Sequence, residues 1–191
     1  MKKITNKSSF FNFKNSKEFN HFALKVFNYQ FENCKVYRSY CDLLNINCSD
    51  IKNCNEIPYL PINLFKTNKV KSFKGKNEKI FFSSTTSGDI ASKHYLKSLD
   101  NYIESFTKCF NKFYGKETNY VILALLPSYL ERKNSSLIYM VESLIKKTKN
   151  KHSGFYLYDF DQLIRTIEIL EAKNQKTIFT PFHFKLFSKD P

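Results

Sequence analysis

"NYVILALLP", Asn119–Pro127, is the stretch on which the fold turns. Val121 to Leu126 is an unbroken apolar run, and Pro127 closes it. A strand with one wet face alternates apolar and polar residues; a strand covered on both faces, as in a parallel α/β sheet, does not. The flanks agree. Upstream, "SLDNYIESFTKCFNKFYG" carries Tyr102, Ile103, Phe106, Phe110 and Phe113 at helical spacing, with Asp100 placed to cap the helix and Gly115 to stop it. Downstream, Leu137, Ile138, Val141, Leu144 and Ile145 define a second helical stripe. "GFYLYDF" reads as the next strand. Asp159 and Gln162 have capping-box spacing for a helix bearing Phe160, Leu163, Ile164, Ile167 and Leu170, and "KTIFT" is a last strand before Pro181. Strands alternating with helices at these lengths predict βαβ crossovers, hence an α/β fold with a βαβαβ parallel sheet. "PFHFKLFSKDP" offers no helix to cover the last strand, so the sheet is expected to be incomplete.

Further upstream the chain is helical. Phe19, Phe22, Ala23, Val26, Phe27 and Phe31 share one face; Val36, Tyr37, Tyr40, Cys41 and Leu44 repeat the pattern. These aromatics are read as core in preference to an acyl-chain tunnel. "CSDIKNCNEIPYLPINLF" reads as a loop in which Pro58 and Pro61 enforce extended backbone. Residues 1–15 are expected to be flexible.

Composition limits the partners. Of 191 residues 42% are hydrophobic and 17% aromatic, enough for a real core. The net charge of +14 invites a polyanion, yet Arg occurs only at 38, 132 and 165 and the lysines are scattered among Asn, Phe, Ile and Tyr. That mixture is what AT-rich codons produce, and no basic stripe stands out, so nucleic acid is not the expected partner. Cys34, Cys41, Cys48, Cys54 and Cys109 form no CxxC pair and match no zinc spacing. No secretory signal follows Met1, and the longest apolar run is too short to span a bilayer. A cytoplasmic protein with reduced cysteines, mostly buried small hydrophobes, is the expectation.

Two segments carry candidate chemistry. In "KIFFSSTTSGDIASKHY", Lys79–Tyr95, a short strand breaks into hydroxyl side chains and a glycine, then offers Lys-His. Hydroxyls and backbone N–H groups at a strand-to-helix turn converge on phosphate oxygens, and Lys93 would add a full positive charge. It is not a Walker loop, which needs GxxxxGK[ST]. His94 reads either as a substrate contact or as a surface histidine at a helix start. In "PSYLERK", Tyr129, Glu131 and Arg132 follow the carboxyl end of the apolar strand, the edge where open α/β sheets bind ligands.

Residue order adds a resemblance. "FFSSTTSGDIASKHY" resembles the Ser-Ser-Gly-Thr-Thr-Gly phosphate loop of the LuxE-type acyl-protein synthetases, relatives of the adenylate-forming ligases. "IPYLPINLFKTNKV" is similar to that family's Ile-Pro-Phe-Leu-Pro-Ile-x-Leu-Phe-Lys segment, and "SFTKCFNKFYG", "YVILALLPSYLERKNSSLIYMVESLI" and "SGFYLYDF" continue the match in order, from about Phe19 to Ile178. The resemblance implies the N-terminal part of a single adenylate-forming domain spanning 1–191. It implies that a long-chain fatty acid attacks the α-phosphate of ATP with Mg2+. The acyl group of the resulting acyl-adenylate then passes to a cysteine of the synthetase and on to a partner reductase. Ser83, Ser84, Thr86, Ser87 and Gly88 correspond to phosphate-holding positions, and Lys93 and His94 to the Ser-Lys-His that follows. Thr85 stands where the family loop has glycine, and a β-branched residue there costs about 1 kcal/mol if a left-handed backbone is required. The resemblance lapses after "KTIFT", and none of the five cysteines matches the family's acyl acceptor. A truncated, catalytically incomplete chain is therefore expected, with a non-catalytic interaction module as the alternative.

Overall fold

The computed structural model describes residues 12–84, 90–126 and 133–181. The chain divides into two compact units, Met1–Tyr102 and Ile103–Pro191.

In the first unit, helix α1 (Ser16–Asn33) is followed by α2 (Lys35–Leu43). Asn15 starts α1 by accepting a hydrogen bond from the Glu18 N–H at 2.9 Å, while the Glu18 carboxylate accepts from the Lys14 N–H at 2.9 Å. Residues 1–11 lie outside the described part. Phe13 is already packed, with its ring centroid 5.4 Å from Phe19 and 5.3 Å from Phe22. The extended backbone of Cys34 separates the helices and lets both turn their apolar faces inward. Phe27, Phe31, Cys34, Tyr37 and Cys41 form the buried centre, with Phe27 and Tyr37 edge to face at 6.0 Å. The core reading of these aromatics holds at Phe27 and Phe31, whereas Phe19 is half exposed.

The proline-rich segment wraps this core and is less extended than the prolines imply. It contains a 3-10 turn at Cys54–Glu56 and a short helix α3 (Leu64–Thr67). Pro58 is held by the Tyr37 hydroxyl, which donates to its carbonyl at 2.7 Å. Strand β1 (Lys79–Phe82) then pairs antiparallel with β2 (Lys93–Leu96), placing Phe81 opposite His94 and Phe82 opposite Lys93. The expected strand-to-helix turn is therefore corrected: the Ser/Thr stretch joins two strands. "KHYL" continues the ladder because Ser83 N–H donates to the Ser92 carbonyl at 3.1 Å, which keeps the two chain segments in register.

Helix α4 (Asp100–Tyr114) carries the chain into the second unit and ends at Gly115, whose φ of +85° needs a residue without a Cβ. Asp100 is the helix's first residue. Of the predicted stripe, Phe106 and Phe110 are buried but Phe113 is 72% exposed. There follow β3 (Val121–Leu125), α5 (Ser136–Thr148), β4 (Gly154–Phe155), α6 (Phe160–Ala172) and β5 (Thr177–Pro181). The three strands are parallel in the order β4-β3-β5. This is the predicted βαβαβ unit with its apolar strand at the centre, and Val121 to Ala124 are all buried. Val121 and Leu123 pack with Leu163 and Leu170 of α6; alternation along the strand turns Ile122 and Ala124 to the other face. The expected strand "GFYLYDF" shrinks to two residues. From Tyr156 the chain turns into the cap of α6, with Asp159 N–H on the Tyr156 carbonyl at 3.4 Å and the Gln162 N–H on the Asp159 carboxylate at 2.9 Å.

Candidate functional site

Ser83 and Ser84 leave β1 at the end of the hairpin where the chain connects to β2. Ser83 accepts the Ser92 N–H on its Oγ at 2.9 Å, so its hydroxyl closes the last rung of the ladder. The same hydroxyl keeps its own proton, which remains a donor for an anion. Ser84 is exposed just beyond it. Thr85, Thr86, Ser87 and Gly88 lie outside the described residues, as do Tyr129, Glu131 and Arg132.

Lys93 and His94 are neighbours on β2, and successive strand side chains leave on opposite faces. The structure therefore separates them. Lys93 shares the exposed face of Phe82, while His94 shares the face of buried Phe81. His94 lines a cavity of about 210 Å3 in the first unit, which Lys93 does not reach. As a residue His94 is exposed, but the part of its ring turned inward is withdrawn from water, and this burial pushes its pKa below the usual 6.5. The ring is therefore neutral near pH 7, with one nitrogen donating and one accepting.

The rest of that cavity was not legible as a site. Gln30 and Cys34 come from α1 and its end, Phe65 from α3, Lys71 and Phe73 from the segment before β1, and His94 and Tyr95 from β2. No motif links positions so far apart in sequence. The Lys71 ammonium is held by the Gly75 carbonyl at 2.6 Å and lies 4.3 Å from the centre of the Phe73 ring.

The cysteines divide by burial. Cys34 and Cys41 are buried, Cys48 and Cys54 half-buried, and Cys109 exposed on α4. Burial raises the pKa of both the Cys41 and Cys48 thiols, which keeps them protonated and poorly nucleophilic. Tyr37, beside Cys41, is raised strongly by the same burial. Among the described residues no cluster of His, Cys, Asp and Glu is placed to hold a metal ion, and no helix is long and apolar enough to cross a membrane.

In the second unit the strand order marks one position above the others. From central β3 the chain crosses through α5 to β4 on one side, then through α6 to β5 on the other. The carboxyl end of β3 is thus the topological switch point of the sheet, where α/β folds bind their ligands. "PSYLER" is the segment that leaves this end. Helix α5 begins nearby in sequence, with Ser135 accepting the Ile138 N–H at 3.4 Å as its cap.

A parallel βαβαβ unit, preceded in sequence by the β1–β2 hairpin, makes this a mixed α/β protein. The comparison with protein families is specific: the family model described as "Acyl-protein synthetase, LuxE" matches residues 8–174, and the chain belongs to that family. Neither a curated protein nor a solved structure matches the chain.

Proposed function

We propose that this chain activates a fatty acid with Mg-ATP, forming an acyl-adenylate and pyrophosphate, as the first half of an acyl-protein synthetase reaction. The observation that carries the reading is the family match over residues 8–174. In this reading Ser83, Ser84 and the turn through Gly88 hold the phosphates, and Lys93 on the exposed hairpin face neutralises their charge as the carboxylate approaches. The free proton on Ser83 fits that role. The Mg2+ enters with the nucleotide, and Tyr129, Glu131 and Arg132 line the ligand edge at the end of β3. The raised thiols of Cys41 and Cys48 make them poor acyl acceptors, so the acyl group is passed to a cysteine elsewhere or to an acceptor protein.

Pyrophosphate release from Mg-ATP with and without fatty acid tests the reading, and acid-dependent release is expected. Titration calorimetry with Mg-ATP should show Thr85→Gly binding more tightly than the natural chain. Silence in the first assay together with equal binding in the second would leave the alternative, a non-catalytic interaction module. One feature favours that alternative: the Ser83 oxygen is already engaged by the Ser92 N–H, which leaves only its proton for a ligand.

A further inference from the structure

We infer that the second unit docks an acidic, extended segment of another protein, in a groove running from the lysines between the ends of α5 and α6 to the outer flank of β5. The lysine part is built at the rim of the sheet opposite the carboxyl end of β3. Lys149 and Lys151, in the connection from α5 to β4, line one cleft together with Lys173 at the end of α6. Leu170 and Gln175 line this cleft too, and they also line an apolar groove completed by Ile167 of α6 and Phe179 of β5. Cleft and groove are therefore one continuous surface within a single unit.

The lysines are held ready and unspent. No acidic residue lines their cleft, and among the described residues none of the three takes part in an ion pair. Like charges gathered without partners repel, so the fold gains nothing from their meeting. Their loop is fixed: the Asn150 side chain accepts the His152 N–H at 3.0 Å, and the Asn150 carbonyl accepts the Ser153 N–H at 3.0 Å. Lys149 itself sits at φ +54°, a left-handed position where glycine or asparagine ends a helix with less strain. Attraction to the α5 dipole accounts for Lys146 and Lys147 in the last turn of that helix, whereas Lys151 lies past its end.

The chemistry of the surface selects the occupant. Phe179 is 47% exposed, although its register partner on β3, Leu123, is fully buried. Since β5 is an outer strand in the order β4-β3-β5, its outer N–H and C=O groups have no strand beside them among the described residues, and an extended segment can pair there. Glu171 is the single acid lining either part, and it stands at the apolar end. A segment with carboxylates at the lysines and a large apolar side chain at Phe179 satisfies both ends. A nucleic acid would use the lysines but leave Ile167 and Phe179 in water.

Fluorescence anisotropy on the full chain reads this with a labelled peptide carrying Leu-Thr-Leu between two glutamate runs, so that either chain direction is served. Lys149→Glu, Lys151→Glu and Lys173→Glu together should weaken binding at least about tenfold. Lys17→Glu, Lys25→Glu and Lys35→Glu, on exposed positions of the first unit, change the net charge equally and should weaken it by no more than about twofold. Phe179→Ser should cost about fivefold, as expected for a half-exposed aromatic that becomes covered. Circular dichroism checks folding; if Phe179→Ser does not fold, serine in place of the peptide's leucines reads the same contact and should give the same loss. A single-stranded polyuridine RNA is titrated at the same ionic strength. Tighter binding of the RNA with no effect of Phe179→Ser would make the patch a nucleic-acid site, and equal losses from both lysine triplets would reduce it to net charge. Either result, or absence of peptide binding, overturns the assignment.

Discussion

Ser83 has two demands on one hydroxyl. Its oxygen accepts the Ser92 N–H and so fixes where the hairpin opens, while in the proposed function its proton meets a phosphate oxygen. Ser83→Ala removes both, and its structural part should cost about 1 kcal/mol in urea unfolding, the ordinary net worth of such a bond. Ser84, exposed beyond the ladder, should cost nothing measurable in stability when changed to alanine. A loss of Mg-ATP affinity in Ser84→Ala at unchanged stability would separate phosphate contact from hairpin repair; equal affinity in both variants would place the phosphates elsewhere. His94 makes a prediction of a different kind. Burial favours its neutral ring, so the folded pKa lies below the 6.5 of the unfolded chain, and between those values the unfolded chain binds more protons. Stability is therefore complete above about pH 6.5 and declines as the pH falls through it. Urea midpoints measured from pH 8 to pH 5 should show the decline, and His94→Gln should flatten it relative to the natural chain. An unchanged profile in the variant would mean that the ring is not withdrawn from water.

At the scale of elements, the second unit depends on a small polar junction. Ser153, in the turn before β4, accepts the Ile122 N–H of central β3 on its Oγ at 3.0 Å. That hydroxyl also lies 2.8 Å from the hydroxyl of Thr148, a buried residue ending α5 whose own hydroxyl donates to the Ile145 carbonyl at 2.7 Å. Ser153→Ala leaves a buried strand N–H without its acceptor and should destabilise by about 1–3 kcal/mol, read as a lower urea midpoint; Ser153→Thr, which keeps the hydroxyl, should recover part of it. The junction was not visible in the sequence, since serine before a strand signals only a turn. What was visible has a common cause. β3, α5 and α6 announce themselves because burial on both strand faces, or on one helix face, demands a periodic apolar pattern. Periodicity overstates the stripe at its margins: Phe113, Leu137 and Ile164 keep the spacing but stand exposed. It also missed β2. "KHYL" pairs with β1 on one edge only and pairs outward-facing Lys93 with half-exposed Phe82, so nothing in its composition distinguishes it from the turn before it. α3 was hidden by the prolines, although Pro61 in fact begins its turn by accepting the Leu64 N–H at 3.0 Å. The cavity was the least legible feature, because its walls are assembled from four stretches that only the fold brings together.

The whole molecule carries a charge that its pairwise contacts do not balance. The chain has 31 basic residues against 17 acidic ones. The described ion pairs Arg38–Asp42, Lys108–Glu104 and Lys146–Glu142 are all i,i+4 pairs on single helices, each involving partly exposed side chains. Pairs of that kind stabilise by a few tenths of a kcal/mol and do nothing about repulsion over longer distances. A net charge of +14 therefore opposes the compact state. Raising sodium chloride from about 10 mM to about 150 mM shortens the screening length from roughly 30 Å to roughly 8 Å, and the urea midpoint should rise with it. The same field favours a triphosphate near the hairpin, so affinity for Mg-ATP should fall over the same range while stability rises. These opposite trends come from one cause, since salt screens the protein's self-repulsion and its attraction for an anion alike. A midpoint that falls with salt would show that local ion pairs outweigh the net charge, and the long-range field could then no longer be credited with drawing nucleotide to the turn.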